Sequence, residues 1–178
     1  MKILIVGLPG SGKTTQIDKI ADRYGLTPLR MGNILREIAS QGGEMGEKIK
    51  TIMASGELVD DATVAELIKS EAEKIGDDYI MEGYPRTTEQ VDLFNPGFDK
   101  VFYLEVPVEV LKERMKGRGR SDDSDGAIET RIRVQKEDLD KILEFYKQSL
   151  PNGNDKLVRI DGTKGIDEIF SEIEGSLK

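Results

Sequence analysis

Short apolar runs rich in strand-forming residues alternate along the chain with longer stretches in which apolar residues recur at helical spacing. The runs predict five strands, at Lys2 to Val6, Leu26 to Leu29, Asp78 to Met81, Val101 to Leu104 and Lys156 to Ile160. A helical pattern follows each of them. Because repeated strand–helix–strand units join parallel strands, this alternation predicts an α/β fold in which helices flank a five-stranded parallel sheet.

The main helical patterns each place their apolar residues along a single face. We predict that these faces pack against the sheet and form the core. The residues that share this spacing are Ile17, Ile20, Ala21 and Tyr24; Val64, Ile68, Ala72 and Ile75; Ile128, Ile132, Leu139, Leu143, Tyr146 and Leu150; and Ile166, Ile169, Phe170, Ile173 and Leu177.

Two segments depart from the regular alternation. Residues 31–59, between the second and third predicted strands, hold two short helical patterns and predict a small helical insertion. Residues 117–126, of sequence GRGRSDDSDG, are almost wholly polar and predict an exposed, mobile loop between two helices. The length of 178 residues fits one domain, residues 1–178, that carries both segments.

Composition narrows the function further. With 26 basic and 34 acidic residues the net charge is −8, which disfavours binding to nucleic acid or to an anionic membrane. The absence of Cys and His excludes thiolate and imidazole metal sites and every catalytic nucleophile–His pair. The apolar run Ile3 to Val6 is far shorter than the roughly 20 residues of a membrane span. We therefore expect a cytoplasmic protein. The sequence does not determine the oligomeric state, for which a monomer is our expectation and a small oligomer the alternative.

The most specific motif directly follows the first predicted strand. Residues 7–14, GLPGSGKT, match the phosphate-loop pattern G-x-x-x-x-G-K-[ST] in its strand–loop–helix context. Its glycines allow successive N–H groups to turn inward, and the positive end of the following helix adds to the attraction for phosphate. Lys13 is expected to reach the outer phosphates of a nucleoside triphosphate. Thr14 or Thr15 can offer a hydroxyl to Mg²⁺.

Several further segments match the motifs of one family. Residues 7–16, GLPGSGKTTQ, and 82–90, EGYPRTTEQ, resemble the GxPGSGKGTQ and DGFPRTxxQ motifs of adenylate kinases and related nucleoside monophosphate kinases. Shorter segments resemble other motifs of the family in the same order. They are GNILR at 32–36, GELV at 56–59, GRGRSDD at 117–123 and DGTK at 161–164.

This resemblance implies a P-loop NTPase fold and the reversible reaction ATP + AMP = 2 ADP, with Mg²⁺ bound to ATP. It implies that residues 31–59 bind the nucleoside monophosphate and that residues 117–126 form a short lid without zinc. The catalytic residues it implies are Lys13, Arg86, Arg118, Arg120 and Arg131. Those implied for ATP are Gly10, Ser11, Gly12, Lys13, Thr14, Thr15, Arg114, Arg118 and Lys164. Those implied for AMP are Met31, Gly32, Arg36, Glu57, Leu58, Val59, Gly83, Arg86 and Gln90. Thr14 and Glu82 are the implied metal residues, acting on Mg²⁺ indirectly or through water.

The chemistry of these residue types agrees with that assignment. Arginine binds phosphate in bidentate fashion and keeps its proton, and a glutamine amide can pair with an adenine edge. The attacking oxygen of a monophosphate is already anionic, so the reaction needs no histidine base. The arginines clustered between positions 114 and 133 are interpreted as a phosphate clamp, with surface ion pairs to Asp122, Asp123 and Glu129 as the alternative. For the acidic residues Asp122, Asp123 and Asp125, helix caps and solubilising charges are one interpretation, and a lid hinge is the other.

A few positions depart from the family motifs. Thr14 stands where glycine is usual, Met31 for threonine, Asn33 for aspartate, Glu82 for aspartate and Asp60 for proline. Thr14 restores the general P-loop pattern, so we expect Mg²⁺ binding to be retained. Met31 and Asn33 alter the acceptor pocket, which leaves a kinase for CMP or UMP as an alternative. A nucleotide-binding switch is a further alternative, although it leaves Arg86 and Gln90 unexplained.

Overall fold

The computed structural model describes residues 1–120, 123–148 and 157–177. Neighbouring strands are parallel in a five-stranded sheet of order β2-β3-β1-β4-β5. The strands are β1 (Lys2–Val6), β2 (Thr27–Arg30), β3 (Tyr79–Glu82), β4 (Lys100–Glu105) and β5 (Leu157–Asp161). The predicted parallel sheet is confirmed: β1 has the predicted bounds, and the ends of the other four strands differ by one residue. Lys156, predicted to begin the last strand, lies outside the described residues.

Helices connect the strands and cover both faces of the sheet. In the described ranges they are α1 (Lys13–Tyr24), α2 (Met31–Gln41), α3 (Gly43–Ser55), α4 (Asp61–Ile75), α5 (Thr88–Leu93), α6 (Val108–Gly117), α7 (Asp125–Glu137), α8 (Leu139–Gln148) and α9 (Ile166–Leu177). The apolar stripe predicted from Ile128 to Leu150 is divided between α7 and α8 at Asp138, and Leu150 lies outside the description. The insertion between β2 and β3 contains α2 and α3 and is helical, as its pattern predicts.

The core forms two layers, one on each face of the sheet. One layer packs α1 and α9 against the sheet through residues such as Ile17 and Ile173. The other packs α4, α7 and α8 through residues such as Ile68 and Ile132. The predicted core position Ile166 is wrong, because this side chain is 54% exposed at the first turn of α9.

The strand order places a crevice at the carboxyl edge of the sheet. Strand β1 lies between β3 and β4, so the chain crosses from one side of β1 to the other between these two strands. Ligands of open α/β sheets bind outside the carboxyl ends of the strands at such a switch point. The phosphate loop leaves β1 at this position, and Glu82 ends β3 beside it.

Candidate active site

The loop between β1 and α1 depends on glycine conformations. Gly10 has φ +85° and Gly12 has φ +93°, both in the left-handed region that favours glycine. A Cβ on Gly10 would also lie 2.8 Å from the main-chain oxygen of Leu111. The first N–H groups of α1 follow Gly12 directly, so the positive end of this helix faces the loop. The geometry is that of an anion site built from main chain.

The side chain of Lys13 is buried within this loop. Its Nζ donates to the main-chain oxygens of Gly7 at 2.7 Å and Leu8 at 2.9 Å, and to Ser11 Oγ at 3.2 Å. Burial lowers the pKa of Lys13 to about 7; the Glu82 carboxylate opposes this shift and nearby arginines add to it. The ammonium group is therefore held by neutral acceptors, and anionic phosphate oxygens would be stronger partners.

A cleft of about 410 Å³ opens from the loop. Residues predicted to bind ATP, AMP or the metal, or to act in catalysis, line this one cleft together. They are Gly10, Gly12, Lys13, Thr14, Thr15, Met31, Gly32, Arg36, Glu57, Leu58, Val59, Glu82, Gly83, Arg86, Gln90, Arg114, Arg118, Arg120 and Arg131. Ser11 and Lys164 are not part of this lining. Ser11 is buried next to Lys13, and the Lys164 ammonium pairs with Glu172 on α9.

Two arginines of the lid side share one buried carboxylate. Asp123, with a side chain only 2% exposed, accepts from Arg118 Nη2 at 2.8 Å and from Arg131 Nη1 at 2.7 Å. Arg131 Nη2 also donates to the main-chain oxygen of Met53, at 2.8 Å, on α3. Burial raises the pKa of Asp123, but the hydrogen bonds and charges of the arginines lower it by more, so the net shift is downward. The carboxylate therefore occupies the position at which these arginines meet.

The acceptor side of the cleft carries a second group of cations. Arg36 Nη2 donates to Asn33 Oδ1 at 2.6 Å, and Arg86 Nε donates to the main-chain oxygen of Gly83 at 2.9 Å. Burial lowers the pKa of Arg86 to about 10, well above neutral pH. The Arg86 guanidinium is therefore charged, and Arg36 and Arg86 both line the cleft.

Gln90 is buried and already hydrogen-bonded at both ends of its amide. Its Oε1 accepts from the N–H of Arg86 at 2.7 Å, and its Nε2 donates to Asp61 Oδ1 at 2.7 Å. An amide carries two donor hydrogens and two acceptor lone pairs, so one of each is left after these bonds. Contact of Gln90 with an adenine edge stays a prediction, and these two bonds fix the orientation in which it would occur.

Comparison with known proteins agrees with this geometry. The family model described as adenylate kinase matches residues 5–150. The chain belongs to the adenylate kinase family. It is similar to the adenylate kinase of Methanosarcina barkeri, at 34% identity over 218 aligned positions that cover 100% of this chain and 99% of the relative. The adenylate kinase of Prochlorococcus marinus (subsp. pastoris) is 36% identical over 152 positions, covering 82% of this chain and 83% of that protein. That of Mycobacterium tuberculosis is 32% identical over 180 positions, with 96% of each covered.

The predictions of the adenylate kinase family, the P-loop fold and the phosphotransferase class are thereby confirmed. One departure from the family motif also acquires a structural reason. Asp60, where the motif has proline, caps α4 by accepting from the N–H of Thr63 at 2.9 Å. The substitution thus exchanges one favourable start of a helix for another.

The oxygen ligands that Mg²⁺ prefers are present beside the phosphate loop. The Thr14 hydroxyl donates to Glu82 Oε1 at 3.1 Å, and both residues line the cleft next to Lys13. The donor set fits a metal that an adenylate kinase binds together with a nucleotide. Among the described residues, no group of three or more His, Cys, Asp and Glu is placed to hold a metal ion by itself. None of the helices in the described ranges is long and apolar enough to cross a membrane.

Sequence reasoning missed Arg30 as a residue of this adenylate kinase site, and it expected Asp123 at the surface. Arg30 lines the cleft at the end of β2. The feature of the sequence that could have identified it is a basic residue at the carboxyl end of a parallel strand. Ser124 caps α7, so the cap interpretation of Asp123 is wrong. Asp123 instead pairs with Arg118 and Arg131, as in the ion-pair alternative for the arginines, but its side chain is buried and not at the surface. No local pattern distinguishes Asp123 from its exposed neighbour Asp125. Asp122 lies outside the described residues.

Proposed function

We propose that this protein transfers the γ-phosphoryl group of Mg²⁺-bound ATP to AMP and forms two ADP. The observation that carries the proposal is a single cleft lined by a phosphate loop and by a second pair of cations, Arg36 and Arg86. A nucleotide-binding switch needs only the loop. Two phosphate positions that face each other are what direct transfer between two nucleotides requires.

On the donor side, the phosphate loop and Lys13 hold the triphosphate. The Arg114 guanidinium donates from Nη1 to the main-chain oxygen of Gly162 at 2.9 Å, which joins α6 to the loop after β5. This contact supports a base pocket for ATP between Arg114 and residues 161–164. Thr14 and Glu82 would hold Mg²⁺, which when bound neutralises charge on the transferring phosphates.

On the acceptor side, Arg36 and Arg86 bind the phosphate of AMP. Met31 and Val59 are buried at the wall of the cleft and supply an apolar surface for the base. The remaining donor and acceptor of Gln90 meet the adenine edge. The helical insertion, residues 31–59, thereby forms the monophosphate-binding part of the domain.

The transferring group is stabilised by the arginines on the lid side. Arg118, Arg120 and Arg131 line the cleft near Lys13, and their charges are close enough to shift the pKa values of neighbouring groups. Charge in the transition state is spread over phosphate oxygens, so fixed guanidinium groups stabilise it without a proton transfer. Closure of residues 117–126 over the nucleotides excludes water, which is a competing acceptor.

We also propose that the protein acts as a monomer in the cytoplasm, where free ATP and AMP are its substrates. The large apolar side chains exposed in the described ranges are Met1, Met45, Leu93 and Ile166. They lie on different parts of the fold and form isolated positions, as is normal for a monomer surface.

The test is an acceptor panel with purified protein and Mg·ATP. AMP, CMP, UMP and GMP are supplied separately, and diphosphate formation is followed by chromatography. We expect turnover with AMP to exceed the others by a wide margin. Preference for another base would leave the reaction class unchanged and would show that the pocket formed by Met31 and Gln90 selects a base other than adenine. An absence of transfer to every acceptor would overturn the proposal.

A variant on the acceptor side separates the two sites. Arg36→Gln should raise the KM for AMP at least about tenfold, because one charge-assisted bond to phosphate is lost. The affinity for ATP, measured by calorimetry, should stay unchanged, since Arg36 lies on the insertion and not in the phosphate loop. An equal loss of affinity for both nucleotides would contradict the assignment of Arg36 to the acceptor.

A further inference from the structure

Arg30 ends β2 directly beside the carboxylate that faces the metal position. Arg30 and Glu82 are register partners at the carboxyl ends of adjacent parallel strands, and Arg30 Nε lies 3.5 Å from Glu82 Oε1. The same guanidinium also pairs with Asp18, one turn beyond Thr14 on α1. Contacts thus connect Thr14, Glu82 and Arg30, which line the cleft, to Asp18, which lies outside it.

The contact between Arg30 and Glu82 is an ion pair without a hydrogen bond from Arg30 Nε. The side chains are only 18% and 13% exposed, so water screens the pair weakly. Arg30 Nε is buried and makes no hydrogen bond, which shows that its geometry toward Glu82 is not that of a donor to an acceptor. Glu82 is therefore neutralised by a cation that leaves its oxygens available to other partners.

We propose that Arg30 is the fixed counter-ion of Glu82 and keeps a divalent cation from occupying the Thr14–Glu82 site until a nucleotide supplies phosphate charge. The inference rests on the proposed function, because it concerns the metal site of that reaction. Arg30 places a guanidinium against the Glu82 carboxylate and shares it with Asp18, and Lys13 and Arg86 lie close enough to Glu82 for their charges to interact with it. A bound triphosphate reverses this balance and makes the site attractive to Mg²⁺.

Removal of the Arg30 charge should make the surroundings of Glu82 more negative in the nucleotide-free protein. Glu82 and Asp18 would then both lose the guanidinium that they share, and the Glu82 carboxylate beside the Thr14 hydroxyl offers oxygen ligands of the kind that a divalent cation prefers. The metal would bind without a nucleotide. Arg30 is thus a positioning residue that acts through Glu82 and need not touch the reacting atoms.

The experiment measures binding of Mn²⁺ to the nucleotide-free protein, from the loss of the free Mn²⁺ signal in electron paramagnetic resonance. Arg30→Gln and Arg30→Met both remove the charge, and Met keeps the long apolar stem if Gln disturbs the fold. Each should bind Mn²⁺ at least about tenfold more tightly than the wild type. Arg30→Lys, which keeps the charge, should bind as weakly as the wild type. Addition of Glu82→Gln to Arg30→Gln should remove the gain.

Arg23→Gln is the matched control. It removes an arginine at the far end of α1 that pairs with Glu174 on α9, so the net charge changes by the same amount away from the site. Equal Mn²⁺ affinity for the wild type, Arg30→Gln and Arg30→Met would overturn the inference. An equal gain of Mn²⁺ affinity in Arg23→Gln would also overturn it. Failure of the proposed function has a different signature, which is the absence of transfer by the wild type in the acceptor panel.

Discussion

The phosphate loop and the arginine cluster face each other across one cleft, but main chain builds the first and side chains build the second. In the loop, Gly10 and Gly12 fix the backbone and α1 supplies its positive end. In the arginine cluster, defined as Arg86, Arg118, Arg120 and Arg131, the charges come from separate elements and are oriented by their contacts.

The difference shows which part of the site is preformed. The loop holds its shape through local backbone geometry, and its lysine is held by neutral oxygens. Within the cluster, Asp123 holds Arg118 and Arg131, the main-chain oxygen of Met53 also holds Arg131, and the main-chain oxygen of Gly83 holds Arg86. Phosphate groups can therefore enter the loop directly, whereas at the cluster they must replace or join a resident carboxylate.

The largest effect should follow loss of the one charge in the loop. We expect Lys13→Met to lower phosphoryl transfer about 10³-fold, because a preorganised cation at the transferring phosphate is lost. The fold should be retained, since burial already disfavours the charged form of Lys13. Steady-state kinetics measure the first effect and circular dichroism the second. Retained transfer in a folded variant would show that the loop works by backbone alone.

A large effect on stability should follow loss of the carboxylate that holds the cluster. Asp123→Asn leaves Arg118 and Arg131 without their shared charge partner, and we expect the free energy of unfolding to fall by about 2 kcal/mol. The exposed Asp125, which pairs with Lys116, is the control, and its Asn variant should change stability by less than about 0.5 kcal/mol. Urea unfolding compares the two. Similar values would mean that the cluster does not depend on its resident carboxylate.

The protonation of Lys13 gives a smaller, pH-dependent contrast. In the free protein its lowered pKa of about 7 leaves it largely neutral at pH 8, and phosphate oxygens should raise that pKa on ATP binding. Lys13 should therefore take up most of a proton when ATP binds at pH 8. At pH 6, where Lys13 is already charged, the uptake should be small. Calorimetry in buffers of different ionisation enthalpy measures the uptake. The difference between wild type and Lys13→Met isolates it, and a zero difference at pH 8 would contradict the shift.

The smallest effect should come from an arginine that lies near the cluster but outside the cleft. Arg133 is two residues after Arg131 on α7, is 61% exposed and pairs with Glu57 and Glu137 at the surface. We expect Arg133→Gln to change the free energy of unfolding by less than about 0.5 kcal/mol and to leave the transfer rate unchanged. Arg131→Gln, tested beside it, should impair transfer. Equal losses in both would show that net charge, not position, matters in this region.

The strands and most helices could be predicted from the chain because their signals are local. Alternating apolar runs and helical stripes predicted the sheet and its flanking layers, with Ile166 as an error at the exposed start of α9. The phosphate loop could be predicted because strand, glycines and lysine are consecutive. The order of the strands, the division at Asp138 and the surroundings of Gln90 depend on distant contacts and could not.

By itself, the sequence determined which residue types meet phosphate, since a glycine-rich loop and a set of arginines are fixed by chemistry and order. Only the tertiary structure decided how those charges are balanced. Asp123 faces Arg118 and Arg131, Arg30 faces Glu82 across neighbouring strands, and Gln90 joins Asp61 to the main chain of Arg86. These pairings arise where strand ends and helices converge, and carboxylates that look alike in the sequence differ there in burial and in partner.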